Sequence, residues 1–293
     1  MERQLELAQQ FLEQSQLPDG SWPYYLTSAQ GSPEPTCYCV LALANGRISA
    51  TDPILQKALN WLLSLVNADG AVVLPEDDEP HWSTAVLSLT LTHLHQQEAM
   101  RDQNIAWLLA TQGTPSQPDP WNAIRMDGSL IGWSWIGNTL SWVEPTSYGL
   151  LALKKAGIMN HPRIAEAEAM LFDRACVNGG WNVGNPVVWE RALDAFVPPT
   201  AFALLALQDK APHETITAGL SFLQEESQRA YSTLSLALTI LCFQAYALPT
   251  EQLVDLLLSR QLADGSWRQM TQLTALSMLA LQSVTGGGNV FKI

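Results

Sequence analysis

The chain has 293 residues, 47% of them hydrophobic and 15% charged, which is too apolar for a disordered protein and sufficient to bury a large core. The formal net charge is −13, and no cluster of Lys or Arg offsets it. This excludes a nucleic-acid surface, because phosphate binding needs concentrated cations. The longest apolar stretch, 234–248, is too short to cross a bilayer, and Cys37 and Cys39, only one residue apart, favour reduced thiols in a cytoplasm.

A unit recurs along the chain: an amphipathic helix, a turn with Asp-Gly or Asn-Gly, and then an apolar helix that opens with Thr. The amphipathic pattern predicts helices over 5–16, 54–66, 102–111, 164–176, 215–225 and 253–261. The apolar helices are predicted to begin, with Thr as N-cap, at Thr36, Thr84, Thr146, Thr200, Thr233 and Thr274. Helices that are apolar nearly all round are buried on every side, so they predict an inner ring surrounded by the amphipathic helices.

Six such hairpins bury all their apolar faces when they stack into a closed circle. An open superhelix is the alternative, but uniform spacing and polar capping repeats are missing. The predicted fold class is therefore all-α, a single (α/α)6 toroid over residues 1–285. The glycine-rich segment 286–293 is predicted to be a flexible tail.

The first and last turns share the pattern Gln-x-x-x-Gly-x-Trp, from Gln16 to Trp22 and from Gln261 to Trp267. Gly permits a left-handed turn at the helix end, Trp packs back on the helix, and Gln reaches backbone groups left free there. The pattern resembles the QW repeat of squalene-hopene cyclases, with degenerate copies at 67–70, 127–129 and 179–181, so that the resemblance covers nearly the whole chain. It implies the toroid of terpenoid cyclases and protein prenyltransferase β subunits. The motif itself is interpreted as a structural staple.

The sequence departs from this superfamily at the segments that carry chemistry. Cyclases that start by protonation resemble one another in an Asp-x-Asp-Asp segment before an inner-helix Thr, and no such segment precedes these Thr residues. The prenyltransferases hold zinc with Asp-x-Cys and a distant His, whereas Asp194 is followed by Ala and then Phe196, and Pro35 stands where the His is expected. No zinc site is predicted. A basic diphosphate pocket is not evident either, with only Arg163, Arg174 and Arg191 near one another in sequence.

Four candidate catalytic residues remain, which are Glu144, Asp78, Glu34 and His81. Glu34 and Glu144 each precede Pro-Thr, where a lone carboxyl in an aromatic pocket has a raised pKa and acts as an acid. A helix-dipole role at the start of an inner helix is the alternative. Asp78 belongs to the acidic loop 76–79, which either binds Mg²⁺ and through it a diphosphate, or is simply solvated. Mg²⁺ is the one candidate cofactor.

Aromatic residues are concentrated where the chain enters the inner helices, and they gather at one end of the ring because every inner helix starts on the same side. The candidate substrate-binding residues are Tyr38, Trp82, Trp133, Trp135, Trp142, Tyr148, Trp189, Phe196 and Phe202. Their rings either stabilise carbocations, pack against an isoprenoid chain, or plug the hole. The long connection 113–143 is predicted to form a lid over this end.

The leading hypothesis is an isoprenoid-handling protein, either an atypical terpene cyclase or an atypical prenyltransferase. The alternative is a non-catalytic toroid that binds a polyprenyl lipid, a protein or a peptide. Both hypotheses follow from the resemblance at the level of the fold.

Overall fold

The computed structural model describes residues 1–46, 48–117, 121, 123–227, 229 and 232–293. Twelve α-helices lie within these residues: α1 Glu2–Gln14, α2 Pro33–Ala44, α3 Pro53–Ser64, α4 Ser83–Leu94, α5 Glu98–Ala110, α6 Val143–Lys155, α7 Pro162–Asp173, α8 Val197–Ala206, α9 Glu214–Glu226, α10 Thr233–Ala245, α11 Glu251–Ser259 and α12 Thr271–Val284. A short 3-10 helix, Gln208–Lys210, follows α8, and the strands β1 Val187–Val188 and β2 Arg191–Ala192 form an antiparallel pair before it.

The even-numbered helices form a closed inner ring. Each packs against the next in order, from α2 to α4, α6, α8, α10 and α12, and α12 returns to pack against α2. The odd-numbered helices lie outside, and each packs against one or two inner helices. Helix α1 packs against α12, which joins the two ends of the chain. The predicted (α/α)6 toroid is confirmed.

Sequence pattern explains which helix lies in which ring. The outer helix α3 buries Leu55, Ala58, Leu59 and Leu62, which are spaced i, i+3, i+4, i+7 on one face. The inner helix α2 is buried continuously from Pro35 to Leu43, with no solvent face. A helix without a polar face is stable only when other elements surround it, which is the situation of the inner ring.

The inner-helix Thr residues have a different role from the predicted N-cap. Helix α2 begins at Pro33 with Ser32 as N-cap, so Thr36 is its fourth residue, and α6, α8 and α12 also begin three residues before their Thr. The N-cap prediction is wrong for these four helices, which begin three residues earlier, and also for α4 and α10, whose N-caps are Trp82 and Ser232. The Thr Oγ1 instead accepts a hydrogen bond from the backbone N–H of the preceding turn. The donors are residues 22, 72, 133, 181 and 267, at 2.8–3.1 Å.

The Gln-x-x-x-Gly-x-Trp turns staple neighbouring helices. The indole N–H of Trp267 donates to Leu257 O at 2.8 Å, at the end of the outer helix that precedes it. The Gln261 amide donates to Gln4 O at 2.8 Å, which joins the last repeat to the first. Gly265 has φ of 87°, and a Cβ there would lie 2.2 Å from a carbonyl oxygen of α1, so no other residue fits. The first turn repeats these contacts, with Trp22 bound to Leu12 O.

Segment 286–293 is packed against the ring, which differs from the predicted flexible tail. Val290 is 2% exposed and Phe291 is fully buried. The prediction was wrong because a high glycine content indicates backbone flexibility, whereas the apolar side chains that follow the glycines are buried in the ring.

Two further observations concern membrane-spanning helices and the state of the cysteines. Across the described part of the chain, no helix combines the length and the apolar content that crossing a bilayer requires. All four cysteines are buried free thiols.

Candidate functional site

The inner helices all begin at one end of the ring, here called the mouth. Backbone bridges join the loops that lead into these helices, from Tyr25 to Met270, from His81 to Ile136, and from residue 124 to Val188. These bridges connect the loops before α2 and α12, before α4 and α6, and before α6 and α8. The loop residues that the sequence places before the inner helices therefore share one surface.

One position at the start of each inner helix faces the mouth. These six residues, the mouth layer, are Glu34, Trp82, Glu144, Pro198, Leu234 and Gln272. Each is partly exposed, and apart from Trp82 each has a buried residue on both sides. In five of the six helices the mouth-layer residue lies two positions before the Thr described above. The shared position and partial exposure place these six residues at the mouth surface.

Three aromatic rings, the floor rings, close the axis one turn below the mouth layer. They are Tyr38, Tyr148 and Phe202, each four residues after a mouth-layer residue and therefore on the same helical face. The hydroxyls of Tyr38 and Tyr148 are hydrogen-bonded at 3.0 Å, and the rings of Tyr148 and Phe202 lie 4.6 Å apart. All three rings are 4% exposed or less. Aromatic side chains thus fill the axis at this level.

Two indoles extend this aromatic stack towards the mouth. The ring of Trp82 lies 5.0 Å from Tyr148 below it and 5.1 Å, edge to face, from Trp135 above it. The Trp82 backbone N–H also donates to Trp135 O at 3.1 Å. Both indoles are partly exposed, so they supply an apolar wall that solvent and ligands reach.

Glu34 is a carboxyl with a strongly perturbed environment. Its pKa is raised to about 7, first by burial and also by the charge of Glu144, whereas hydrogen bonds from Tyr24 and Gln272 oppose the rise. The Tyr24 hydroxyl donates to Glu34 Oε2 at 2.5 Å. Glu34 is therefore fixed on the mouth side of the floor rings, in a partly dry site.

Glu144 has the same position on α6 and the same property. Burial alone raises its pKa to about 7. The charges of Glu34 and Glu144 also raise the pKa of the buried Tyr148 hydroxyl, which places both carboxyls near the floor rings. Since both pKa values are about 7, each carboxyl is about half protonated at pH 7. Near neutral pH this pair holds about one proton, so it both donates and accepts hydrogen bonds.

A cavity of about 400 Å³ opens at the mouth between α10 and α12. Leu234 and Gln272 of the mouth layer line it, together with Tyr25, Met270 and Arg268. Gln272 also donates to Glu34, so one side chain joins the cavity to the carboxyl pair. The volume is within the range of small-molecule sites.

No protein-family model and no curated protein matches this chain. Solved structures do match it. The type II terpene cyclase MstE from Scytonema, in complex with its product merosterolic acid A, has a TM-score of 0.68 at 12% identity, over 98% of this chain and 97% of that one. The same enzyme with its substrate geranylgeranyl dihydroxybenzoate gives 0.65 at 12% identity, over 98% and 97%.

This chain has the fold of a type II terpene cyclase. An α-1,6-mannanase from Salegentibacter, in complex with α-1,6-mannotriose, also matches, with a TM-score of 0.63 at 10% identity over 96% of this chain and 98% of that one. Similarity at these identities shows the fold alone, since one fold hosts unrelated chemistries. The chemistry has to be derived from the mouth of this chain.

The mouth brings together part of the predicted site. Glu34, Glu144, Tyr38, Trp82, Trp135, Tyr148 and Phe202 form the stack and the carboxyl pair described above. Trp133 is placed elsewhere: its indole N–H donates to Leu108 O at 3.0 Å, and Arg163 lies 4.6 Å over its ring. Trp133 therefore staples α5 to α6, as Trp22 and Trp267 staple their helices, and it does not face the axis.

Three other predicted aromatic residues lie at the rim. Trp142 lines a small cavity beside Gly184, between two loops. Trp189, in the turn between β1 and β2, is 65% exposed, and Phe196 is 54% exposed. The predicted lid, 113–143, includes residues 118–120 and 122, which lie outside the described residues. Its described part is bound to the strand β1, where the backbone N–H of Arg125 donates to Val187 O at 3.1 Å.

Asp78 and His81 are not in contact with the carboxyl pair. Asp78 is exposed on the loop before α4. His81 Nδ1 lies 2.9 Å from Ser83 Oγ at the start of α4, and burial lowers the pKa of this imidazole. His81 thus acts as a cap for α4 in this arrangement.

The described residues contain no group of three His, Cys, Asp or Glu side chains placed to hold a metal ion. The acidic loop is bound to its neighbours instead. Glu76 accepts from Gln30, at 3.3 Å, and Glu79 accepts from Asn138, at 3.1 Å. These contacts connect the loops of three adjacent repeats, and they engage two of the four carboxylates of the acidic loop, Glu76 and Glu79.

The three Arg residues near one another in sequence do not converge on the mouth. Arg163 pairs with Glu166 at 2.6 Å, Arg174 lies 3.5 Å from Asp173, and Arg191 is exposed on β2. Arg268, which lines the mouth cavity, is instead the arginine in contact with this site.

Sequence reasoning missed Gln272, Arg268 and Phe291. Gln272 had a usable signal, since it stands two residues before Thr274, as Glu34 and Glu144 stand two residues before theirs. Arg268 directly follows Trp267, but no sequence motif at that position indicated a role in the site. Phe291 carried no signal, because its contacts depend on the path of segment 286–293.

Proposed function

We propose that this chain is an isoprenoid-handling protein that binds a prenyl compound at the mouth and exchanges a proton with its polar end. The observation that carries the proposal is the pair Glu34 and Glu144, with pKa values of about 7, above a floor of aromatic rings. The terpene cyclase that shares the fold was solved with a geranylgeranyl substrate, which supports this ligand class.

The wall of the mouth favours an apolar ligand. Trp82 and Trp135 present partly exposed ring faces and edges above the floor rings, and Leu234 lines the adjoining cavity. Branched prenyl chains pack against such surfaces through the hydrophobic effect and dispersion. Gln272 and the carboxyl pair supply hydrogen bonds for a polar end, and Arg268 supplies a positive charge at the cavity.

The strength of the carboxyl pair limits the reaction. A carboxylic acid with a pKa of about 7 is half protonated at neutral pH and is a weak acid, and each pKa unit costs about 1.4 kcal/mol of proton-transfer driving force. Protonation of an unactivated alkene needs a stronger acid. The pair suits general acid–base chemistry on an oxygen-bearing group, for which a pKa near the working pH is best.

Binding tests the first part of this proposal. Thermal unfolding is measured with geraniol, farnesol and geranylgeraniol, and with geranyl diphosphate with and without Mg²⁺. A ligand at about 100 times its Kd contributes about 2.7 kcal/mol, which raises the Tm by about 4 °C for a chain of this size. Trp82→Ala is expected to abolish the rise, whereas Trp189→Ala, a change of the same size at the exposed rim, is expected to retain it.

Turnover tests the second part. Products are analysed after incubation of each ligand with the protein and with the double variant Glu34→Gln/Glu144→Gln. A new product that disappears in the double variant supports acid–base catalysis. Binding without turnover supports the non-catalytic form of the proposal, and no stabilisation by any prenyl compound rejects the ligand class.

A second candidate function is glycoside hydrolysis. Glycosidases also use two carboxyls, one protonated as the acid and one ionised as nucleophile or base, and exposed rings such as Trp189 and Phe196 suit sugar stacking. The mannanase with the same fold supports this candidate. Mannotriose and maltotriose in the same thermal assay separate the two: stabilisation by an oligosaccharide and not by prenyl alcohols decides for the hydrolase.

A further inference from the structure

Segment 286–293 crosses the end of the ring opposite the mouth. The Asn289 amide donates to Leu241 O at 2.7 Å, near the end of α10. The Gln208 amide, just after α8, donates to Phe291 O at 2.8 Å, and the Lys155 ammonium, at the end of α6, donates to Lys292 O at 2.7 Å. The segment is thus bound to three inner-helix ends at once and spans the far opening.

Phe291 enters the axis from this end. Its ring is fully buried and lies edge-on at 6.4 Å from both Tyr38 and Phe202. These are two of the three floor rings. The side of the floor that faces away from the mouth therefore rests on a residue from the far end of the sequence and not on another inner helix.

The floor rings are also held in place by contacts with one another and with Trp82. Tyr38 is held by its hydroxyl on Tyr148, and Tyr148 is held between Trp82 and Phe202. Close-packed aromatic rings move only when space opens beside them. Removal of the Phe291 ring opens that space directly behind Tyr38 and Phe202, on the axis.

We infer that Phe291 is a specificity-determining residue that sets the depth of the mouth site and so the longest prenyl chain it accepts. The inference rests on the proposed function for its ligand class. Its physical basis is independent of that class: a buried ring on the axis, replaced by a smaller side chain, leaves a dry apolar cavity that apolar ligands fill.

The test compares Phe291→Ala with Phe243→Ala. Phe243 is an equally buried phenylalanine, but it lines a cavity with residues of α9 and α11 and so faces the outer ring. The Kd values of geraniol and geranylgeraniol are measured for each variant. Phe291→Ala is expected to shift the ratio of the two Kd values by about tenfold or more towards geranylgeraniol, and Phe243→Ala is expected to leave it unchanged. The same ratio in both variants overturns the inference.

A benzene arm separates failure of the inference from failure of the proposed function. A crystal structure of Phe291→Ala soaked with benzene is expected to show benzene between Tyr38 and Phe202. Benzene there, with no prenyl alcohol bound by any form, supports the axial position of Phe291 and rejects the prenyl ligand. No benzene on the axis overturns the inference. If the alanine variant does not fold, Phe291→Leu provides the same comparison with a smaller expected shift.

Discussion

Replacement of Glu144 by Gln tests whether the mouth holds a buried, protonated carboxyl. Folding raises the pKa of this group from 4.5 to about 7 through burial. Between these two values the folded state keeps a proton that the unfolded state has released. The wild-type protein therefore loses stability as the pH rises from 4.5 to 7, and the loss is constant above 7. Gln mimics the protonated carboxyl and has no proton to lose.

The size of the effect follows from the two pKa values. The interval from 4.5 to about 7 corresponds to about 3 kcal/mol at most, since the carboxyl is partly exposed and solvent reduces the penalty. The unfolding entropy of a 293-residue chain is roughly 0.6 kcal/mol per degree, so the variant should unfold up to about 5 °C above the wild type at pH 8. At pH 4 the two proteins should unfold at nearly the same temperature.

The assay is thermal unfolding from pH 4 to pH 8, with Glu225→Gln as the control. Glu225 is exposed near the end of α9, and its replacement should give a difference that varies little with pH. A Glu144→Gln variant that is destabilised equally at pH 4 and pH 8 would refute the reasoning, because it would show that the carboxyl is ionised in the folded protein. The interaction with Glu34 adds a check, since removal of the Glu144 charge should lower the pKa of Glu34.

Three further predictions concern the ring. Trp267→Phe leaves Leu257 O without its indole donor and should lower the free energy of unfolding by about 2 kcal/mol in urea titrations. The control Trp189→Phe, at the exposed rim, should change it by less than about 0.5 kcal/mol. Equal effects of the two substitutions would contradict the stapling role of Trp267. Gln261→Ala removes the hydrogen bond to Gln4 O and should lower the free energy of unfolding by about 1–3 kcal/mol. Amide hydrogen exchange in α1 should become faster, and unchanged exchange there would argue against a role of Gln261 in closing the ring. Lys154→Met removes the buried cation that lies 2.8 Å from Glu168 and also pairs with Asp209, and leaves both carboxylates paired with the more exposed Lys210. It should lower the free energy of unfolding by about 3 kcal/mol; a neutral result would show that Lys210 and water already compensate these carboxylates.

The fold was predictable from sequence because the repeat has a physical cause. Five of the six inner-helix Thr residues accept the same backbone hydrogen bond, and the Trp residues of the turns bond to the preceding outer helix, so the repeat is visible in the sequence. Helix ends were less predictable: α5 begins at Glu98 and not at 102, since its first turn is polar and carries no apolar period. The role of Trp133 was misassigned for a related reason. Its signal was the spacing of 13 residues to Thr146, which is close to the 14 residues that separate Trp22 from Thr36.

The site was predictable only where it repeats. Glu34 and Glu144 stand at the same place in their repeats, and both carboxyls lie in the mouth. Phe291 lies outside the repeat, and its burial depends on a path across the far end of the ring that composition does not encode. The raised pKa values were expected from a lone carboxyl in an aromatic pocket, but the interaction between the two carboxyls required the closure of the ring.

The contacts that close the ring and the residues that face its axis are independent of each other. The staples of Gln261 and Trp267 join helices at the outer side, so they place no demand on the mouth layer. The mouth layer therefore decides the ligand, and here it consists of two carboxyls, an amide, an indole, a proline and a leucine. None of these six side chains is a cation. A neutral prenyl compound meets no electrostatic barrier at this layer, whereas a diphosphate meets carboxylates and depends on Arg268 or on Mg²⁺ that it brings with it. Binding of geranyl diphosphate without Mg²⁺ should accordingly fall steeply as the pH rises through 7 and both carboxyls ionise, while binding of geraniol should change far less.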